Sequence, residues 1–369
     1  LTIPPHAYNP GMEPALRQLT KNLARLATNY DMTGEWPDDA IAHLTKAGAW
    51  AWVIPEQYGG IQLDPVSMVR GYEAVAAGSL ACLLILSQRD GACEFIASCE
   101  RADVKDHWLP LLCKHKLMTS IGISQLTTSQ RRGAALKARA HGDGFILNGV
   151  MPWVTAAEKC DFIVTGAMME DGQQILAMTP TTLKGLHVDP AMRLMALESS
   201  RTSEVYLKDV HIGPELVLRG PEENALQRRM PVKSLVVSSA GLGLAGALIN
   251  KIQRHSRDAS NELLMLAEDA YARYTAVRER IYKAAQQLRQ DADIPKTEIR
   301  VAVNELLMRL AITSMTFAKG SGFIRQRDAQ RLVREAMFFL VWSATDDVRA
   351  KTLSRFLDTP FPDSKSLQA

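Results

Sequence analysis

The sequence predicts an α+β protein that is mostly helical, with its strands confined to the middle of the chain. Three observations carry this. From about residue 13 to 112, apolar residues recur at three and four, the period of one helix face. From about 117 to 220, short apolar stretches are separated by Gly, Pro and Asp, the punctuation of strands and tight turns. From 222 to 356, long amphipathic runs return. The 369 residues therefore divide into an N-terminal helical domain over 1–116, a central small β-barrel or sandwich domain over 117–221, and a C-terminal helical bundle over 222–369.

The elements follow in order. Leu16, Leu19, Leu23 and Leu26 form the apolar face of a first helix. Asp38 and Asp39 precede Ile41, Leu44 and Ala47, an acidic start to a second. Pro55-Glu56-Gln57-Tyr58-Gly59-Gly60 breaks the pattern as a turn. Helical runs over 65–86 and 89–112 close the first part. In the middle, 137–141 and 145–150 flank Gly142-Asp143-Gly144, a hairpin signal. Further strands are predicted at 161–166, 174–179, 185–189 and 204–207. The stretch 236–252, rich in Ala, Gly and Leu, reads as a buried central helix, because small side chains let helices approach closely. Runs over 262–288 and 298–317 follow, the second ended by Gly320-Ser321-Gly322. The last helices are predicted at 328–342 and 345–355. Met168, Met169, Met192 and Met195 are expected to fill core gaps. Arg278, Glu279, Arg280 and Arg289 are expected on a solvated helix face.

Composition excludes several classes. With 47% hydrophobic and 22% charged residues, the chain has a globular rather than a disordered balance. A net charge of +3 offers no basic field for nucleic acid. No apolar run reaches the roughly 18 residues that span a bilayer, so no membrane span is expected. The first ten residues lack the charged-then-apolar pattern of a secretory signal. The five cysteines are odd in number and form no C-x-x-C pair, which predicts reduced thiols and a cytoplasmic location. The eight histidines show no H-x-x-x-H or H-E-x-x-H spacing, so no metal is expected. Gly241 and Gly243 lie within a helix pattern rather than after a strand, so they read as packing, not as a dinucleotide fingerprint.

Several words along this order carry a resemblance. They are 54–60; Gly144-Phe145-Ile146-Leu147-Asn148-Gly149 followed by Trp153-Val154-Thr155-Ala156-Ala157; Ser200-Arg201-Thr202 running into Val205-Tyr206-Leu207-Lys208-Asp209-Val210 and Pro214; Gly320-Ser321-Gly322-Phe323; and Arg334-Glu335-Ala336. Together they resemble the acyl-CoA dehydrogenase family, with Glu335 where Asp is usual. The resemblance implies a helical domain, a β domain and a C-terminal four-helix bundle. It implies FAD between the β domain and the bundle, an acyl-CoA substrate oxidised at its α–β bond, and a homo- or hetero-oligomer. In that chemistry a glutamate removes the α-proton, a hydride passes to flavin N5, and electrons leave to an electron-transferring flavoprotein.

Carried over residue by residue, the resemblance places Trp153 against the flavin and Thr155 near its N5. The alternative is a core tryptophan beside a solvated threonine. Ile123 and Ser124 fall on the strand that meets the flavin pyrimidine edge. The following loop, normally small and Gly-rich, is here Thr127-Thr128-Ser129-Gln130-Arg131-Arg132; its arginines could meet a phosphate or form a solvated turn. Gly320, Gly322 and Thr345 complete the implied cofactor contacts. The family's Gln-x-x-Gly-Gly word is here Thr316-Phe317-Ala318-Lys319-Gly320, and its phosphate arginine after the central helix has only Arg254 or Arg257 as counterparts.

The position of the family's base falls at Ser343, in Trp342-Ser343-Ala344-Thr345. A second seat used by some members falls near Lys233 or Ser234, again without a carboxylate. An unassisted serine hydroxyl is a poor base near neutral pH. Asp346 and Asp347 are candidate stand-ins for the base, or first-turn acids that complement a helix dipole. Three functions are consistent with this pattern: an acyl-CoA dehydrogenase-like flavoprotein, a flavin oxidase or monooxygenase on the same fold, and a catalytically silent companion subunit of a hetero-oligomer.

Overall fold

The computed structural model describes residues 13–127, 135–226, 235–256, 259–288, 290 and 293–357. In chain order the elements are α1 (Glu13–Thr33), α2 (Asp38–Lys46), α3 (Pro65–Gly78), α4 (Leu80–Ala97), α5 (Ala102–Cys113), β1 (Thr119–Gly122), α6 (Ser124–Thr127), β2 (Leu136–His141), β3 (Gly144–Val154), β4 (Phe162–Met168), β5 (Gln174–Pro180), β6 (Leu186–Val188), β7 (Ser203–Ile212), β8 (Val217–Glu222), α7 (Val236–His255), α8 (Asn261–Leu288), α9 (Lys296–Ala318), α10 (Asp328–Phe338) and α11 (Asp346–Leu357). The order is mostly helical with one β sheet, as the sequence predicts.

Several boundaries differ from expectation. The runs over 65–86 and 89–112 are recut into three helices, α3, α4 and α5. The polar residues 87–90 do not mark a helix boundary, because α4 buries them: Arg89 pairs with Asp90 at 2.9 Å and donates to the Leu112 carbonyl at 2.7 Å. The break comes instead at Ser79, after Gly78 packs so tightly on α1 that a Cβ would stand 2.7 Å from Leu23 Cβ. Strands β1 and β8 carry no strong alternation, which is why the sequence did not mark them. Residues 296–323 are apolar and long enough to cross a membrane by composition, contrary to expectation, yet 61% of that window is buried within the chain.

The chain divides into two compact units, each discontinuous in sequence. One comprises Leu1–Met32, Pro65–Leu80 and Ser234–Ala369; the other comprises Thr33–Asp64 and Ala81–Lys233. The N-terminal helices are thus shared between the units rather than forming a body of their own.

The second unit is built on an eight-stranded sheet in the order β6-β7-β3-β2-β4-β5-β8, with β1 parallel to β4. The β2–β3 hairpin pairs Leu136 with Gly149 through His141 with Gly144, around Gly142 at a φ of 55°. Between β3 and β7 the register shifts at Asn148. There Asn148 and Asp209 exchange hydrogen bonds of 2.9 and 3.0 Å, with Asp209 in the left-handed region at φ 51°. Helix α5 lies on the sheet, with Trp108 edge-on to Phe162 at 4.9 Å. It ends with His115 at φ 51°, whose ring stacks on Trp50 at 4.3 Å and 5°. Of the methionines expected in the core, Met195 is instead 64% exposed; it lies beyond the sheet, in the loop after β6.

The first unit is organised by α7. Gly241 faces α9, where a Cβ would come within 2.3 Å of Val303 Cγ1, and Gly243 faces α3, where it would come within 2.3 Å of the Glu73 carbonyl. Both glycines are packing residues. Leu16, Leu19 and Leu23 of α1 are buried, and Thr20 Oγ1 donates to the Ala74 carbonyl of α3 at 2.8 Å.

Glu73, 1% exposed on α3, receives three side chains of α8. Arg278 donates from Nε at 2.9 Å, Tyr282 from its hydroxyl at 2.5 Å and Tyr274 from its hydroxyl at 3.3 Å. Arg278 therefore does not sit on a solvated face with Glu279 and Arg280; Arg289 lies outside the described residues. The sequence reading missed this because ion pairing across 205 residues leaves no periodic trace.

Glu73→Ala leaves Arg278 and two phenols without their acceptor, and it is expected to cost about 3–5 kcal/mol in a denaturant titration; a loss under about 1 kcal/mol would be that of an ordinary surface pair. His115 gives a pH test. Burial, with the Arg89 guanidinium beside it, holds its imidazole below the ordinary value. The folded chain then binds fewer protons at this ring than the unfolded one, so stability is lost as pH falls below about 6.5. His115→Asn, which keeps the left-handed position, should flatten the fall in stability between about pH 7 and 5; an unaltered slope assigns the dependence elsewhere.

Candidate functional site

Two regions carry the residues singled out by sequence, one in each unit. In the sheet unit they lie on β3, its pairing partner β7 and the end of β1. Trp153, near the end of β3, is 55% exposed, whereas Thr155 is 6% exposed. This is the reverse of a core tryptophan beside a solvated threonine. Thr155 Oγ1 lies 3.3 Å from Thr202 Oγ1, which in turn lies 2.9 Å from Ser200 Oγ. The Ala156 amide donates to the Ser200 carbonyl at 2.9 Å. Two words 45 residues apart in sequence thus meet as a buried hydroxyl ladder, two residues along the chain from the exposed Trp153. Arg201, at φ 50°, clamps the edge of this ladder by donating to Glu158 at 2.7 and 3.0 Å.

Ile123 and Ser124 lie just past a strand rather than on one. Strand β1 ends at Gly122, Ile123 is buried, and Ser124 opens the short helix α6. The reason is local packing: Gly166 of β4 admits the Leu126 side chain, leaving a notional Cβ only 2.6 Å away. Gln125 fixes the corner by donating from Nε2 to the Gly122 and Gly166 carbonyls at 2.8 and 2.6 Å. Gly122 in turn lies against Met151 of β3, which brings this corner to the strand that carries Trp153. Residues 128–132, with Arg131 and Arg132, lie outside the described residues, as do Lys233, Ser234 and Arg257.

In the helical unit, Ser343 is exposed in the turn between α10 and α11, at φ 49°. Thr345 caps α11, its Oγ1 accepting the Val348 amide at 3.3 Å. Asp346 and Asp347 are exposed first-turn acids. Asp346 pairs with Arg349, and Asp347 lies 3.1 Å from Lys351. The buried carboxylates of this unit are likewise engaged. Glu335 pairs with Arg331 at 2.7 Å, while burial pushes its carboxyl above the ordinary range, and Glu73 is held as described above.

The glycine word after α9 is divided in role. Gly322 is buried, and a Cβ there would come within 2.5 Å of Met315 Sδ, so it is a packing glycine. Around Gly320 a Cβ would meet nothing within 4 Å, which leaves its backbone open to an approaching group. Lys319 holds φ 50° and ψ −150°, a backbone region nearly reserved for glycine. Beside it lies a cavity of about 610 Å³ lined by Thr28, Lys251, His255, Ser321, Arg327 and Asp328. Lys251 Nζ reaches Asp328 there at 2.5 Å, so its charge is already matched. Among the described residues no cluster of three or more His, Cys, Asp or Glu could hold a metal.

Residues 13–116 match the model of the acyl-CoA dehydrogenase N-terminal domain. Over 360 residues the chain is 23% identical to YngJ, a probable acyl-CoA dehydrogenase of Bacillus subtilis (strain 168), covering 91% of this chain and 94% of that one. The chain is thus similar to acyl-CoA dehydrogenases over most of its length. Its fold agrees. The butyryl-CoA dehydrogenase from Megasphaera elsdenii superposes at a TM-score of 0.84 and 18% identity, over 96% of this chain and 100% of that one. A dibenzothiophene monooxygenase from Paenibacillus sp. A11-2 superposes at 0.79 and 14% identity, over 94% and 97%.

Lys319 gives a direct check on the altered glycine word. Lys319→Gly removes the side chain that disfavours this backbone, and it should raise stability by about 1 kcal/mol in chemical unfolding. A loss of stability would mean that the lysine side chain makes contacts outweighing the strain.

Proposed function

We propose that this chain is an FAD-dependent oxidoreductase of acyl-CoA-type thioesters that lacks the usual carboxylate base. The observation that carries the reading is the turn after α10. Its exposed residue at the family's base position is Ser343, and the nearest acids in sequence, Asp346 and Asp347, are paired with Arg349 and Lys351.

The residues present fit a flavin at its ring end. An indole 55% exposed on a strand offers a flat apolar face to a planar ring. Thr155, Thr202 and Ser200 form a hydroxyl chain beside it that can orient a donor. Ile123 and Ser124 of the sheet unit would hold the pyrimidine edge, and Gly320 and Thr345 of the helical unit are further candidate cofactor contacts. FAD, when bound, supplies hydride acceptance. The chain's own part is to bind, orient and exclude water. At Ser343 it offers a hydroxyl that can donate or accept a hydrogen bond but cannot hold the α-proton at neutral pH.

The same reading places the protein in the cytoplasm, with its five cysteines free. It has an electron-transferring flavoprotein as acceptor, and its assembly buries the exposed Met265, Leu266, Ile312 and Phe323. A second reading, oxidase or monooxygenase chemistry, is favoured by the likeness in fold to the dibenzothiophene monooxygenase and by its having no need of a base at residue 343.

The purified protein is expected to be yellow, with a flavin absorbance that bleaches slowly on adding saturated acyl-CoAs. Ser343→Glu should accelerate bleaching by roughly 10²–10⁴, and Trp153→Ala should weaken flavin retention. Rapid bleaching by the unaltered protein would contradict the missing base. Fast reoxidation of reduced flavin by oxygen would favour the second reading, and a colourless preparation would make the chain a silent companion subunit.

A further inference from the structure

Arg300 on α9 is 7% exposed. Among the described residues it meets no carboxylate within ion-pair distance, and burial alone pulls its guanidinium down to about 9. Such a buried unpaired cation costs several kcal/mol, so what it holds matters. Nη2 donates to two carbonyls, Phe339 at 2.5 Å and Trp342 at 2.9 Å, and the guanidinium carbon lies 5.3 Å from the centre of the Phe339 ring. Among the described residues its Nε and Nη1 have no partner.

The turn's backbone shows why these two carbonyls need a donor. The Phe339 amide goes to Ala336, Leu340 to Met337, Val341 and Trp342 both to Phe338, and Ala344 to Val341. The Phe339 and Trp342 carbonyls receive none of these amides. They are the acceptors that the end of a helix leaves over, and one arginine group takes both. Trp342 immediately precedes Ser343, whose φ of 49° turns the chain into the Thr345 cap of α11. One turn further along α9, Asn304 Nδ2 donates to Thr352 Oγ1 of α11 at 3.1 Å. Helix α9 thus grips both sides of the turn.

We propose that Arg300 is the positioning residue of this turn, fixing where Ser343 and Thr345 stand in the site. The consequence for catalysis rests on the flavoprotein reading; the consequence for the turn does not. Both bonds come from the two N–H groups of the one Nη2 nitrogen, so the requirement is a donor nitrogen held at the full reach of an arginine side chain, which the shorter lysine ammonium meets less well.

The test uses the full chain with Arg300→Met and Arg300→Lys. Amide exchange over 339–346, followed by mass spectrometry, should quicken at least roughly tenfold in Arg300→Met and less in Arg300→Lys, with α7 amides unaltered. If Arg300→Met does not fold, Arg300→Lys carries the same comparison. Equal exchange in the turn, or equal acceleration throughout the unit, overturns the proposal. In the Ser343→Glu background, adding Arg300→Lys should lower kcat roughly tenfold or more with little effect on KM; a loss confined to KM would count against positioning. If Ser343→Glu has no activity, the flavoprotein reading fails while the exchange result still decides the role of Arg300.

Discussion

The helical unit depends on how close α7 lets its neighbours come. Gly241 and Gly243 remove the two side chains that would hold α9 and α3 away. With those helices drawn in, most apolar side chains of α3, α7 and α9 are buried, the exposed Ile312 of α9 apart, and close packing of that kind is felt at every methylene. The same approach sets the polar interior. It brings Glu73 of α3 within reach of three α8 side chains, and it fixes the α9 face from which Arg300 and Asn304 reach the last two helices. A buried carboxylate and a buried guanidinium are tolerated because a rigid apolar frame delivers their partners at hydrogen-bond distance.

On that frame two residues share a physical signature. Ser343 and Lys319 both sit at positive φ. Positive φ costs most residues free energy and persists where the surroundings over-determine the backbone. At Ser343 the surroundings are visible: Arg300 before it and the Thr345 cap after it. At Lys319 the helix end and the tight packing of Gly322 on Met315 supply the constraint. In the sheet unit the hydroxyls of Ser200 and Thr202 are arranged in line with that of Thr155.

The sequence revealed most of what repeats and little of what meets. Helical period located α1, α7, α8 and α9, and the Gly-Asp-Gly punctuation located the β2–β3 hairpin. Polar residues 87–90 misled it, because burial of a self-paired Arg–Asp couple looks in sequence like a helix end. Strand β1 escaped it, because the four residues Thr119–Gly122 gain their structure from pairing with β4 rather than from alternation. Arg278 and Arg300 escaped for the same reason: their partners lie 205 and about 40 residues away, and spacing carries no record of contact.

The divided first unit also has a consequence for the order of synthesis. Glu73 leaves the ribosome 201 residues before Tyr274 and 205 before Arg278. At about 5–20 residues per second, the interval is roughly 10–40 s. Throughout it, Glu73 of α3 waits for its α8 partners, and the side of α3 that Gly243 approaches waits for α7. The sheet unit is completed inside that interval, so the nascent chain must keep α3 hydrated and unaggregated beside an already folded neighbour until α7 and α8 emerge.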